Sequence, residues 1–332
     1  MGDDRVAICI ITHDSARDLP ACMESLAALT YRPLELVVVD CASSDQSVSA
    51  VQRHAPNGIS LTHRSLGENL GFAGGMEVAL ALTRAPLILS LNPDCRPEPG
   101  FVSNLVAGFT SHPEVRIGAV AGRLYRPLEK GAAATLDACG MYLTPAWRHF
   151  DRGSGQIDKR QWEQSDRVFG TTGAASLFSR QALEDVAVNG EAFLGEFHSY
   201  REDAELCFRL QERGWEVLYE PAALCEHRRR NLPQRRTSMP PHVNVHSLKN
   251  RYLLRLYHQD WLNLVLTAAP TLVRDLGAFA YVLLRERASL AAYSWLWKNR
   301  QRILERRRSI QARRTTGSWE VNRWFFKRSQ PL

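Results

Sequence analysis

The chain has 332 residues, 45% of them hydrophobic, which suits one large α/β domain with an appendage or two domains of ordinary size. Its net charge of +7 is concentrated at one end: eleven Lys or Arg against Glu305 and Glu320 give +9 from Lys298 to Leu332, which leaves −2 for everything before. A near-neutral core excludes an extended nucleic-acid surface, and Lys298 to Arg314, the most basic stretch of the tail, lacks the interleaved aromatics of a nucleic-acid-binding arm.

Met1 to Arg5 lead directly into a strand-like VAICII, so no signal peptide is expected. The seven cysteines stand at 9, 22, 41, 95, 139, 207 and 225 with no C-x-x-C pair, as expected for reduced thiols of a cytosolic protein and not for a cysteine zinc site.

The first part of the chain alternates strand and helix. Strands are expected at Val6 to Ile11, Leu36 to Val39, Ile59 to Thr62 and Leu87 to Leu91, with helices at Ala16 to Leu29, Asp45 to His54 and Phe72 to Thr83 between them. This order predicts a parallel sheet with helices on both faces and functional loops at one end. A helix from Phe101 to Phe109 follows, and then the pattern loosens between Arg123 and Gln164. From Val168 the run FGTTGAASLFS reads as a glycine-punctuated strand. A helix is expected from Ala204 to Arg213, closed by Gly214, and a strand from Trp215 that ends at Pro221.

Beyond Arg251 the chain is helical. Leu272, Leu276, Phe279 and Leu283 recur at helical spacing with Arg274 on the opposite side, and the uncharged run Trp261 to Val273 is well short of the ~20 residues needed to cross a bilayer. A helix lying on a membrane surface beside the basic tail is one reading; a helix packed on the preceding domain with a solvated basic face is the other.

Leu87 to Leu91 is a buried run that stops on Asn92-Pro93-Asp94, since proline cannot donate to a ladder. Asp94 therefore falls beyond a strand's carboxyl end, where a carboxylate suits a divalent metal that also takes phosphate oxygens, or simply a turn. The first two strands end on Thr12-His13-Asp14 and on Asp40, whose carboxylate suits a base or ribose or caps the next helix. Gly67 to Gly75 opens a helix with glycines that let backbone N–H groups approach a phosphate. Glu202-Asp203 begin another, where the helix dipole favours the ionised, proton-accepting form, although taken locally the pair reads first as a helix cap. His227 follows a strand, where a lone histidine reads as a structural or surface residue.

Read in order, VAICIITHD, ELVVVDCASSD, NLGFAGG, LSLNPDC, GTTGAASLFSRQAL, EDAELCFRLQERGWEVLYEP and His227 resemble glycosyltransferase family 2 over roughly residues 5–230. NPD in place of the usual D-x-D is similar to the branch that includes bacterial rhamnosyltransferases of cell-wall and surface polysaccharides. The resemblance implies an A-type fold, with a mainly parallel sheet covered on both faces, as residues 1–235; beyond it, composition and spacing set 236–332 apart as a helical, basic region for which membrane association is one of the two readings above. It implies that Thr12, Asp14, Asp40, Asn69, Gly71, Asn92 and Asp94 bind the nucleotide sugar, and that Gly173, Ala174 and Glu202 line the acceptor or sugar pocket. It further implies Mg²⁺ or Mn²⁺ at Asp94 and His227, and Asp203 as general base of an inverting transfer. The implied substrates are dTDP-rhamnose and a glycan or lipid-linked glycan at the cytoplasmic face of the membrane. Asn92 departs from the first acid of D-x-D, and Met76-Glu77 stand where relatives often carry asparagines. UDP-galactose, UDP-glucose or UDP-N-acetylglucosamine as donor, a non-catalytic basic binding protein, and a nucleotide-sugar binder without turnover remain open.

Overall fold

The structure, a computed structural model, describes residues 4–112, 114–128, 131–229 and 240–327. The chain begins with β1 (Val6–Thr12) and α1 (Leu19–Ala27), which starts after Ala16 because the Asp18 amide first closes a turn onto the Ser15 carbonyl. The alternation continues through β2 (Leu34–Asp40), α2 (Ser47–His54), β3 (Ser60–Ser65), α3 (Gly71–Ala81) and β4 (Leu87–Leu91). β1 pairs in parallel with β2 and β4, and β2 with β3. Ile8 and Ile10 enter a core with Leu19, Met23 and Leu105, whereas Ala7 and Cys9 enter one with Ala73, Met76 and Leu210. Both faces of β1 are buried, which is why its sequence is a continuous apolar run.

Short β5 (Cys95–Pro97) and α4 (Phe101–Thr110) lead to β6 (Ile117–Tyr125). The loosely patterned segment holds β7 (Leu136–Ala138), paired with β6, and a separate hairpin of β8 (Met141–Thr144) and β9 (Arg148–Asp151). The expected strand from Val168 divides into β10 (Asp166–Val168) and β11 (Ala175–Ser179), because the glycine-containing loop between them leaves the sheet. β11 runs antiparallel between β4 and β6, so the sheet is mixed: β4, β1, β2 and β3 are parallel, β11 runs against them, and β12 pairs in parallel with β6 beyond it.

After α5 (Arg180–Val186), α6 (Glu202–Glu212) begins at the acidic pair itself. β12 (Glu216–His227) runs past Pro221. Its register against β6 shifts between Glu220 and Leu224, a bulge that absorbs a residue with no ladder N–H, and the strand then pairs with β5.

The expected boundary at residue 235 lies outside the described residues. Beyond it come α7 (Pro241–His258), α8 (Trp261–Arg285), α9 (Leu290–Lys298), α10 (Arg300–Ala312) and α11 (Ser318–Asn322). They share cores with the sheet domain: Leu254, Val321, Trp324 and Phe325 pack with Phe208 and Met141, and Tyr257, Ile303 and Ile310 with Phe197.

Part of the basic tail is engaged by this packing, while Lys298, Arg300, Arg308 and Arg323 are exposed. Arg306 is buried against Glu191 and Glu196, Arg314 pairs with Asp260, and Arg313 donates to the Ala187 and Asp185 carbonyls. α8, by contrast, is inverted. Its inward stripe is polar (Asn263, Thr267, Thr271), while Trp261, Leu272, Val273 and Leu276 are exposed to 74%, 60%, 72% and 61%. Among the described residues no helix is long and apolar enough to cross a membrane.

Candidate functional site

Register gathers the loops. Thr12 pairs with Asp40 at the ends of β1 and β2, Leu91 pairs with Ala175 at the end of β4, and Cys95 pairs with His227 where β5 meets β12. A cleft of about 1290 Å³ opens at that edge and is closed on the far side by the β8–β9 hairpin, the start of α6, α7 and α8. Thr12, Asp14, Asn69, Gly71, Asn92, Asp94, Gly173, Ala174, Glu202, Asp203 and His227 all line it.

On the nucleotide side, the Thr12 hydroxyl is buried at the strand end without a partner among the described residues. Asp14, with φ of 50°, accepts the Ser44 amide at 2.7 Å and the Asp45 amide at 3.3 Å, and these bonds hold its carboxyl below the usual range. Asp40 is the exception to the expected set. It is buried, accepts the Ser43 amide at 3.1 Å and the Ser43 hydroxyl, and shapes the β2 loop from behind without lining the cleft. Asn69 Oδ1 accepts the Gly71 amide at 2.8 Å. Gly71 has φ of 69°, and a Cβ there would lie 2.4 Å from the His198 carbonyl oxygen, so both conformation and space require glycine. Glu77 is structural: it accepts the Phe193 amide at 2.7 Å and burial raises its carboxyl above the ordinary value.

At the end of β4 the Asn92 amide donates to the Ala174 carbonyl at 2.7 Å, locking the NPD turn to the loop before β11. Asp94 Oδ1 lies 3.5 Å from His227 Nε2, and His227 Nδ1 lies 2.7 Å from Asp137 Oδ2. Asp137 also accepts from Arg229 at 3.2 Å, and Arg229 pairs with Asp151. Burial opposes a charge on His227, but Cys95, Asp137 and Asp94 outweigh it and raise the imidazole well above its ordinary value. A carboxylate behind one ring nitrogen is the usual way to orient a metal-binding histidine, and binding a cation there would release the proton. Asp94, Cys95 and His227 bring ligand atoms within 4.8 Å of one another. The buried Cys95 thiol contacts the Ala174 carbonyl and is a poor partner for a hard cation. Asp94 and His227, with room for phosphate oxygens in the cleft, therefore fit Mg²⁺ or Mn²⁺.

Across the cleft, Asp203 Oδ2 accepts the Gly173 amide at 3.2 Å and Oδ1 accepts the Ala204 amide at 2.7 Å. The expectation that the helix start would favour ionisation is reversed: burial raises the Asp203 carboxyl despite these amides and Arg201. Glu202 is pushed well above the carboxylate range, first by burial and then by the Asp203 charge, and its Oε2 has no partner among the described residues. Both carboxyls are thus raised, Glu202 the further, and the shift moves Asp203 toward the neutral range in which a general base works best. His198, Tyr200 and Arg201, just before the helix, all have positive φ (61°, 71° and 75°), a strained approach that fixes where Asp203 emerges.

Sequence reasoning missed Asp137, Arg148, His149, Arg201, Arg229 and Arg274, all but Asp137 on the cleft wall. The arginines and aromatics crowded between Arg123 and Gln164 were the available signal.

A mixed sheet with nucleotide-type loops at one edge, a metal-fitting carboxylate and a separate basic carboxylate defines an A-type nucleotide-sugar glycosyltransferase. The Glycosyl transferase family 2 model matches residues 7–187, more than half of the chain, and the chain belongs to that family. It is similar to the N-acetylglucosaminyl-diphospho-decaprenol L-rhamnosyltransferase of Mycobacterium tuberculosis, with 24% identity over 280 residues covering 78% of this chain and 86% of that one. Among solved structures it resembles S. aureus TarS 1-349 in complex with UDP-GlcNAc (TM-score 0.55, 15% identity, 93% of this chain and 90% of the other). It also resembles the mannosyltransferase PcManGT from Pyrobaculum calidifontis in complex with GDP-Man and Mn²⁺ (TM-score 0.50, 17% identity, 88% and 75%). The chain is a glycosyltransferase, and the reading as a non-catalytic basic binding protein is set aside.

Proposed function

We propose that this enzyme transfers L-rhamnose from dTDP-rhamnose, with inversion, to a glycan or lipid-linked glycan acceptor at the cytoplasmic face of the membrane. The observation that carries the reading is the division of one cleft between Asp94 with His227 on one wall and Asp203, seated on the Gly173 amide, on the other. Asp203 removes the proton from the acceptor hydroxyl as that oxygen bonds to the anomeric carbon. The bond from that carbon to the diphosphate oxygen breaks, and the nucleoside diphosphate leaves with the electron pair. One displacement needs one base, which suits a pair in which Glu202 stays neutral. Thr12, Asp14, Asn69 and Gly71 hold the nucleotide, Asn92 keeps the NPD turn in place, and Gly173 and Ala174 border the sugar. Asp94 and His227 would hold the divalent metal, which supplies charge stabilisation for the departing diphosphate.

The choice of rhamnose and of a lipid-linked acceptor rests on the name of the mycobacterial relative and on the NPD sequence. The exposed apolar side of α8 supports a peripheral membrane position. The test is transfer to an N-acetylglucosaminyl-diphospho-polyprenol acceptor from dTDP-rhamnose, UDP-glucose, UDP-galactose and UDP-N-acetylglucosamine in parallel. Selective consumption of dTDP-rhamnose with Mg²⁺ or Mn²⁺ is expected, and preference for a UDP-sugar overturns the donor assignment.

A further inference from the structure

Three arginines from three separate elements meet at the acceptor side of the cleft: Arg148 on β9, Arg201 before α6 and Arg274 on the inner side of α8. His149 lies among them, with Arg201 Nη1 3.3 Å from its Nδ1. Burial and then the charges of Arg201, Arg274 and Arg148 hold this imidazole well below its ordinary value, so it stays neutral and accepts from Arg201.

Arg274 is the informative member. Its Nη1 donates to the Ala146 and Trp147 carbonyls, and no other hydrogen bond or ion pair engages the side chain among the described residues. The adjacent Asp275 is taken by Arg251 and Arg255. Arg148 makes no ion pair among the described residues either, and lies over the Phe150 ring at 4.2 Å. Desolvation and the neighbouring Arg251, Arg201 and Arg148 bring Arg274 down to about 9. Gathering like charges in a partly buried wall, with no ion pair to Arg148 or Arg274 among the described residues, is costly, and a bound anion offsets that cost.

Arg274 also links the cleft to the outside of the molecule, since the helix that carries it turns Leu272, Val273 and Leu276 to solvent. An acceptor held at this helix would have its anionic group in the cleft and an apolar tail beside the exposed side chains. We propose that Arg148, Arg201 and Arg274 form a subsite for the diphosphate of a lipid-linked acceptor, separate from the donor-diphosphate site at Asp94. The proposal rests on the reading of the enzyme as a transferase with such an acceptor, and it assigns the residues that recognise that acceptor.

The test is binding, which does not depend on turnover. Farnesyl diphosphate is titrated into the full-length protein with dTDP and Mn²⁺ saturating, so that the donor site is filled. Loss of a charge-assisted contact predicts about tenfold weaker binding in R148Q and in R274Q, with dTDP affinity unchanged. Among the described residues Arg148 makes no hydrogen bond through its guanidinium, so R148Q stays informative even if R274Q loosens the hairpin carbonyls that Arg274 holds. Wild-type affinity in R148Q, an equal loss of dTDP affinity, or no binding by the wild type overturns the subsite. Inorganic pyrophosphate binding as tightly as farnesyl diphosphate overturns the lipid source. D203N should bind farnesyl diphosphate normally while losing transfer; retained transfer there would count against the base in the proposed function and leave the subsite result standing.

Discussion

Asp203 accepts the Gly173 amide at 3.2 Å, which ties the first turn of α6 to the loop that leads into β11. The carboxylate is thereby held at the same sheet edge as Asn92 and Asp94, although more than a hundred residues separate them in the chain. Asp203→Asn keeps the shape and removes the base, so turnover should fall by about 10²–10⁴ while nucleoside diphosphate affinity is unchanged. Glu202→Gln should be milder. Because the Asp203 carboxyl is raised and must be ionised to act, turnover should fall as pH drops through a value above the ordinary ~3.9 of aspartate. Steady-state kinetics across pH and titration of dTDP check both expectations; near-normal turnover in D203N would remove Asp203 from the mechanism.

Asp94 and His227 share a site that Asp137 orients from behind. Asp94→Ala should abolish the gain in nucleoside diphosphate affinity on adding Mn²⁺, and His227→Ala should reduce it. Asp137→Asn should lower that gain by about 10-fold or more without touching the ligand set, as expected for a group that orients a ligand. Isothermal titration with and without Mn²⁺ decides this, and an unchanged metal effect in D94A would move the metal elsewhere.

The exposed apolar side of α8 is the surface on which the proposed peripheral membrane position rests. L272E/L276E should reduce flotation with anionic vesicles at low salt while leaving the unfolding midpoint nearly unchanged, because both side chains are largely exposed. Deleting residues 298–332 should instead lower the midpoint sharply, since it removes the buried Ile303, Ile310, Trp324 and Phe325 from cores shared with the sheet domain. Equal flotation of the double variant and the wild type would exclude α8 as the contact.

Glu205, Arg209, Glu212 and His258 form a buried network between α6 and α7. Burial opposes the Glu205 charge, but Arg209 and His258 overcome it and bring the carboxyl down to about 2. A depressed folded value means stabilisation present above the unfolded ~4.3 and lost as pH falls from there toward 2, roughly 3 kcal/mol in all. His258 is raised by Glu212 and Glu205 against burial, so its share is present below ~6.5 and lost as pH climbs through the folded value. Wild-type stability should therefore decline on both sides of a mildly acidic optimum. Glu205→Gln should flatten the acid side in denaturant titrations run at several pH values. An identical acid limb in E205Q would show that other carboxylates control it.

The sequence alone determined the parallel half of the sheet, because strands buried on both faces must be apolar throughout and helices between them must show a periodic face. For the same reason the ends of β1, β2 and β4 were legible, since an apolar run that stops on Thr12, Asp40 or Asn92-Pro93-Asp94 marks where the buried strand meets solvent. Only the tertiary structure decided which way each side chain turned. Asp40 falls back onto Ser43, and Asp203 is raised by burial that no local pattern encodes. β12 crosses Pro221 because a bulge against β6 accommodates it, and without that crossing His227 would not reach Asp94. The second wall of the cleft, with Arg148 from a hairpin and Arg274 from a helix 126 positions later, showed in the sequence only as arginines and aromatics around Arg148, since the wall itself exists through contacts between segments distant in the chain. The tail's charge was visible in composition, but Arg306, Arg313 and Arg314 within it serve intramolecular carboxylates and carbonyls, and that assignment depends on which surfaces the fold brings within reach.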